Sequence, residues 1–201
     1  SLNISKSLSL SEKDHCLNIM PLFHIHGLIA IIASSMKSGA SVCASSGFNA
    51  LKFLELAKSE KITWYSGVPT MHQTIMLRAE KNLELAKNLD LRLVRSSSAS
   101  LPPAVFEKLN KVFNCPVIEA YGMTEATHQM TSNPLPPKKQ KAGFVGIPAG
   151  PEVAIMNDNN QIMKNGEIGE ICIKGNNVTS GYENNPEANK TSFSDGWFRT
   201  C

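Results

Sequence analysis

Short apolar runs alternate with longer segments of helical character through the first two-thirds of the chain, and this alternation constrains its fold most. Residues 16–20, 40–44, 62–66, 91–95 and 116–120 each make a run about one strand long. Between them lie 27–37, 49–61, 69–87 and 102–113. In the second of these, Leu51, Phe53, Leu54 and Ala57 recur at helical spacing. The fourth opens on prolines, which suit a helix's first turn, and runs out at Phe113-Asn114. Strands alternating with helices imply βαβ units, because a parallel neighbour is reached only by a crossover. The expected fold class is α/β, a five-stranded, largely parallel sheet with flanking helices. Ligands of such sheets sit beyond the carboxyl ends of the strands, so function is sought there.

The character changes after Asn133. Pro134-Leu135-Pro136-Pro137-Lys138-Lys139-Gln140-Lys141 reads as a polar connector. Beyond it, 153–156 and 162–163 flank the turn-rich Asn157-Asp158-Asn159-Asn160, and Ile171 and Ile173 alternate with polar neighbours. That is hairpin grammar. The expected division is an α/β layer over 1–134 and a small β-rich subdomain over 135–201.

Composition excludes several classes of function. Lys plus Arg number 20 against 17 acidic residues, a net charge of +3 too small for a nucleic-acid partner. With 42% hydrophobic and 18% charged residues the chain has material for a core. The longest apolar stretch, 28–33, is far short of the ~20 residues that span a bilayer. No secretory leader is visible. Cys16, Cys43, Cys115, Cys172 and Cys201 form no CxxC pair and read as reduced thiols, which makes the N-x-S/T triplets at Asn3, Asn177 and Asn189 chance occurrences.

The segment richest in chemistry is Glu119-Ala120-Tyr121-Gly122-Met123-Thr124-Glu125-Ala126-Thr127-His128, directly after the fifth run. Tyr121 offers a flat ring to a base, and Gly122, lacking a Cβ, lets backbone approach a ligand. Thr124 offers a hydroxyl to phosphate and could cap a following helical turn. Glu125 beside phosphate would repel it unless Mg²⁺ lay between. His128, three residues beyond Glu125, shares its face in any helical turn. An ordinary strand-to-helix connection with a capping threonine uses the same residue types.

Tyr121-Gly122-Met123-Thr124-Glu125 resembles the Y-G-x-T-E motif of the adenylate-forming superfamily of acyl-CoA synthetases, luciferases and adenylation domains. Further likenesses follow in that family's order. Pro21-Leu22-Phe23-His24-Ile25-His26-Gly27 is similar to its P-L-F-H-x-x-G segment, and Val68-Pro69-Thr70 to the V-P-T opening a helix beside the acyl pocket. Ser98-Ala99-Ser100-Leu101 stands where the family carries a G-A-x-L-like adenine loop. Gly166-Glu167-Ile168-Gly169-Glu170 with Gly181-Tyr182 resembles the G-E-x-G-E…G-Y run, and Gly196-Trp197-Phe198-Arg199-Thr200 the start of G-W-F-x-T-G-D. Ser98-Ala99-Ser100-Leu101 with Thr124-Glu125-Ala126-Thr127-His128 and Ser132-Asn133-Pro134-Leu135-Pro136 most resembles the oxalate–CoA ligases of plants and fungi.

The resemblance implies a two-step reaction: a carboxylate attacks the α-phosphate of ATP, and the thiol of coenzyme A then displaces AMP from the acyl-adenylate. It implies Tyr121 stacking on adenine, with Ser98, Ala99 and Ser100 against the other side, and Glu119, Ala120, Gly122 and Met123 lining the nucleotide. Thr124 would contact phosphate, Glu125 would hold Mg²⁺, and His24 would stand at the acyl pocket. Ser98 and His128 are the expected anchors for the distal carboxylate of a small dicarboxylate. The implied partners are a small carboxylic acid, ATP and coenzyme A, in the cytoplasm or a peroxisome.

Blander readings compete at several positions. His24 and His26 would share a face of an extended segment, as a metal pair or a buried hydrogen-bonded pair. His15-Cys16 reads as structural, 138–141 as a solvated connector, 175–181 as a β-turn region, and Trp64 and Trp197 as core. The family's upstream Ser/Thr/Gly-rich loop ending in Lys has no counterpart, and Cys201 stands at the family's glycine. The ribose-binding Asp and the carboxy-terminal domain with its lysine are likewise unmatched. The chain is thus expected to be an internal segment of a ligase, inactive alone and prone to self-association. The alternative is a catalytically silent nucleotide-binding or interaction module derived from that fold.

Overall fold

The structure, a computed structural model, describes residues 1–200; Cys201, and with it the expectation about the family's glycine, lies outside the described residues. The chain opens on a helix, α1 (Leu2–Ser7), that the sequence pattern did not suggest. Then come β1 (His15–Asn18), a π-helical segment (His26–Ala33) continued by α2 (Ser34–Lys37), β2 (Ser41–Ala44) and α3 (Phe53–Ser59). β3 (Trp64–Gly67), α4 (Pro69–Ala79), α5 (Leu83–Lys87), β4 (Leu93–Ser96), α6 (Pro103–Phe113) and β5 (Val117–Met123) follow. All five strand-length runs are strands, and they lie parallel in the order β2-β1-β3-β4-β5.

Strand alternation makes two cores from this layer. Cys16, Trp64, Leu93 and Ile118 face one side and pack with Leu8, Ala30 and Ile31. Leu17, Tyr65, Val94 and Val117 face the other, against Ile75 of α4 and Leu109 and Phe113 of α6. Both faces are covered, as a parallel sheet requires. Pro69 and Pro103 each occupy a helix's first turn, and Asn114 ends α6 in the left-handed region at φ 49°.

The sheet is wider than expected. A hairpin adds β6 (His128–Ser132) antiparallel to β5, and β7 (Ile147–Pro148) extends it to seven strands. Neither addition was foreseen, because the segment after residue 120 was read as a ligand-binding loop or a strand-to-helix connection and not as a hairpin. The segment 69–87 also breaks in two, and 27–37 is largely π-helical. Its apolar residues run all round it, so periodicity says nothing of its winding. Gly27 is required there, since a Cβ would collide with the carbonyl oxygen of Pro21.

The second sheet is antiparallel: β8 (Glu152–Met156), β9 (Glu170–Lys174) and β10 (Phe193–Ser194) with β11 (Trp197–Arg199), in the order β10-β11-β9-β8. α7 (Pro186–Ser192) precedes β10. Because β7 still pairs with β6, the change of sheet falls between Pro148 and Glu152, later than the expected division after residue 134. Ala126 and Met130 of the first sheet's hairpin pack against Ile173 and Phe198 of the second. Trp64 is fully buried, whereas Trp197 is only half-buried. Among the described residues no helix is long and apolar enough to cross a membrane.

Candidate active site

The carboxyl ends of β4 and β5 converge on a cavity of about 260 Å³. One wall is the loop after β4, Ser98, Ala99 and Ser100; the other is Glu119, Ala120, Tyr121 and Gly122 of β5, with Val145 closing one side. The two walls are tied together, because the Leu101 N–H donates to Glu119 Oε1 at 2.9 Å. Glu119 Oε2 has no partner in its buried position. Burial raises the Glu119 pKa and the Leu101 hydrogen bond opposes that rise. Of the residues expected to contact a nucleotide, Ser98, Ala99, Ser100, Glu119, Ala120, Tyr121 and Gly122 border this one cavity, and Met123 and Thr124 do not. Tyr121 and Met123 both pack on the cluster formed by Ala126, Met130, Ile173 and Phe198, but only Tyr121 also borders the cavity.

Tyr121, Gly122 and Met123 belong to β5 itself, not to a loop after it. The reason Gly122 must be glycine also differs from the expectation. A Cβ there would collide with the carbonyl oxygen of His128, where a bulge between Tyr121 and Gly122 brings β6 close. Thr124–Ala126 forms a single 3₁₀ turn, and Thr124 makes no side-chain cap bond. Thr127 and His128 then take φ of 49° and 82° and start β6. The chain has reversed by His128, so Glu125 and His128 do not share a helical face as expected. Glu125 points to the second sheet's side and His128 into the layer of the first.

A loop from the second sheet braces that turn. The Tyr182 hydroxyl donates to Glu125 Oε1 at 3.0 Å, and the Thr179 N–H donates to the Glu125 carbonyl at 2.7 Å. Asn177 Nδ2 donates to the Ala126 carbonyl at 2.7 Å, and Thr127 Oγ1 donates to the Asn177 carbonyl at 2.8 Å. The stretch 175–181, read from sequence as a turn, is a turn with this bracing role. Burial and then Glu125 raise the Tyr182 pKa, so the phenol remains a donor to the carboxylate. Among the described residues no three His, Cys, Asp or Glu side chains converge on a metal position. A lone carboxylate in the turn that follows a cavity-lining strand suits Mg²⁺, which completes its shell with phosphate and water rather than an all-protein cage.

The histidines separate. His24 is exposed and its Nδ1 accepts the His26 N–H at 3.0 Å, so the segment turns into the π-helix and the extended pair expected for 24 and 26 is absent. His26 is buried, with Nε2 2.6 Å from Ser66 Oγ and Nδ1 3.0 Å from Ser98 Oγ. His128 is buried with its ring 5.2 Å from that of His26, and its Nδ1 has no partner. Beside them the guanidinium of Arg95 is fully buried, donating to Ser66 Oγ and Gln129 Oε1, each at 3.3 Å. Burial lowers the Arg95 pKa to about 10, which leaves it charged at neutral pH. Burial, then Arg95, holds His26 well below its ordinary range and His128 at about 2. Both rings are therefore neutral.

Sequence reading missed Ser66, Arg95 and Gln129 as site residues and gave His26 only as half of a pair. One signal was available: an arginine closing a strand-length run of a sheet buried on both faces must enter the interior.

Comparison with known proteins adds to this geometry. A family model described as AMP-binding enzyme matches residues 1–183. An oxalate–CoA ligase of Arabidopsis thaliana is 47% identical over 201 residues, spanning 98% of this chain and 39% of that protein. An oxalate–CoA ligase of Saccharomyces cerevisiae is 45% identical, spanning 99% of this chain and 36% of its own length. The ATP-bound structure of MatB from Rhodopseudomonas palustris superposes at a TM-score of 0.91 with 28% identity, covering 99% of this chain and 39% of that one. MenE from Bacillus subtilis, solved with ATP and magnesium ion, superposes at 0.86 with 29% identity, covering 99% of this chain and 40% of that one. The chain thus spans well under half the length of the relatives it matches.

Proposed function

Because this chain belongs to the AMP-binding enzyme family, we propose that it forms the nucleotide- and acid-binding segment of an ATP-dependent acid–CoA ligase acting on a small dicarboxylate of the oxalate class. The observation that carries this reading is the single cavity bounded by Ser98, Ala99 and Ser100 on one wall and by Glu119 through Gly122 on the other. That slot fits a flat purine between a backbone loop and the Tyr121 ring. The unpartnered Glu119 Oε2 offers an acceptor for an exocyclic amino group.

The first chemical step brings two anions together, so the protein's task is electrostatic. Thr124, exposed at the head of the 3₁₀ turn, is the donor to a phosphate oxygen. Glu125, fixed by Tyr182, is the residue that would hold Mg²⁺. Bound there, the metal would supply neutralisation of phosphate charge against the incoming carboxylate. On the acid's side, Ser98 and His128 are the proposed anchors of the distal carboxylate, and His24, exposed and hydrogen-bonded to the His26 N–H, is the proposed acyl-side histidine. The charge of Arg95 makes this region positive, as a dianion needs. Relatives named as oxalate–CoA ligases support that choice of acid. The four described cysteines are free thiols, which supports a reducing compartment such as the cytosol or a peroxisome.

Calorimetric titration with AMP tests the slot. Wild type is expected to bind, and Tyr121→Ala to bind about tenfold or more weakly, given about 1–3 kcal/mol for a base stacked on an aromatic ring. Equal affinity of the two proteins would remove the ring from the site. The isolated chain is expected to show no acid-dependent ATP–pyrophosphate exchange, since it spans 36–39% of its ligase relatives; measurable exchange would overturn that expectation.

A further inference from the structure

The geometry points to Arg95 as a specificity-determining positioning residue, one that acts through Ser66 and His26 to make the Ser98 hydroxyl an obligatory donor toward a carboxylate. This deepens the reading above and rests on it.

The argument is an inventory of protons. A guanidinium has donors only. Ser66 Oγ accepts from Arg95, so its own proton must go elsewhere, and His26 Nε2 at 2.6 Å is its partner. In the other tautomer, His26 Nε2 would donate as well, leaving the buried Ser66 proton without an acceptor among the described residues, a costly arrangement. His26 is neutral, so with Nε2 accepting, the ring proton is on Nδ1 and is donated to Ser98 Oγ. Ser98, already accepting, presents its own O–H outward, and Ser98 borders the cavity. Every link runs one way, from a fixed cation to an exposed donor. A substrate group that only accepts, an ionised carboxylate, satisfies that donor.

Two independent observations support an anionic occupant. Among the described residues Arg95 makes no ion pair, and its Nε has no hydrogen-bond partner, although the side chain is fully buried. A buried charge without a counter-charge is disfavoured unless something supplies one. Ser98 also holds a left-handed backbone, φ 71°, a conformation that L side chains rarely adopt. A hydroxyl kept at a strained position is consistent with a task for it.

The test reads the tautomer directly. In the chain labelled with ¹⁵N-histidine, long-range ¹H–¹⁵N correlation is expected to show the His26 proton on Nδ1, in wild type and in Arg95→Lys, where an all-donor cation remains. In Arg95→Met the tautomers are expected to mix, and oxalate affinity to fall about tenfold while AMP affinity stays within about twofold. Ser66→Ala cuts the same relay with a smaller volume change and carries the same expectation should Arg95→Met fail to fold. Ser98→Ala is expected to leave the tautomer intact and abolish the preference for oxalate over acetate. An Nε2 proton in wild type, or an unchanged tautomer and unchanged oxalate affinity in both Arg95→Met and Ser66→Ala, overturns the inference. Failure of the wild type to bind AMP overturns the nucleotide reading instead, and the tautomer is decided separately from it.

Discussion

Ser98 sets backbone strain against a hydroxyl's chemistry. Its φ of 71° lies where glycine is at ease and an L side chain is not. Ser98→Gly is therefore expected to stabilise the chain by up to about 1 kcal/mol, offset in part by the added freedom of the unfolded chain. The same change removes the donor and should weaken oxalate binding about tenfold. Urea unfolding and calorimetry on one preparation check both halves, and a loss of stability would show that φ there is not the dominant cost. Residue types near the cavity were legible from sequence, because Tyr121, Thr124 and Glu125 stand together in one run. Arg95, Ser66 and His26 are far apart along the chain and adjacent only in space, so no window of sequence contains their network.

At the scale of elements, the five parallel strands and the helices between them followed from apolar periodicity, since burial on both faces leaves a plain mark on each run. The β5–β6 hairpin did not. Its turn, Thr124 to Thr127, contains no Asn-Gly or Asp-Gly signal, and Thr127 and His128 adopt positive φ without glycine. What holds that turn is the loop 175–182, some fifty residues downstream. Asn177→Ala removes a donor from the buried Ala126 carbonyl and is expected to cost about 1–3 kcal/mol. It should also weaken AMP binding, because Tyr121 lies on the strand that leads into this turn and Glu125 lies within it. Thermal unfolding and AMP titration of this variant measure the two effects; unaltered values in both would show that the brace is passive.

For the whole molecule, three buried histidines govern the response to acid. Burial keeps His26 well below 6.5, His72 at about 4 and His128 at about 2. His72 is neutral between the Tyr65 hydroxyl and the Gly67 carbonyl. Between pH 6.5 and these values the unfolded chain binds protons that the folded chain does not. Stability is therefore complete above about pH 6.5 and is lost as pH falls toward 4, at up to about 1.4 kcal/mol per pH unit for each histidine. Urea midpoints at pH 7, 6 and 5 should decline in that order, and a flat series would contradict the neutral buried state.

The sequence by itself determined the layer and the neighbourhood of the site: a parallel sheet, and the two segments that border its cavity. The sheet and the Tyr121–Glu125 run are consequences of local order, because periodicity and adjacency are properties of consecutive residues; Ser98, Ala99 and Ser100 were singled out only by the family resemblance. Only the tertiary structure decided the extension of the sheet by β6 and β7, the brace on Glu125, and the buried cation behind Ser98. These arise where distant segments meet, and their energetics depend on which polar groups lose water together.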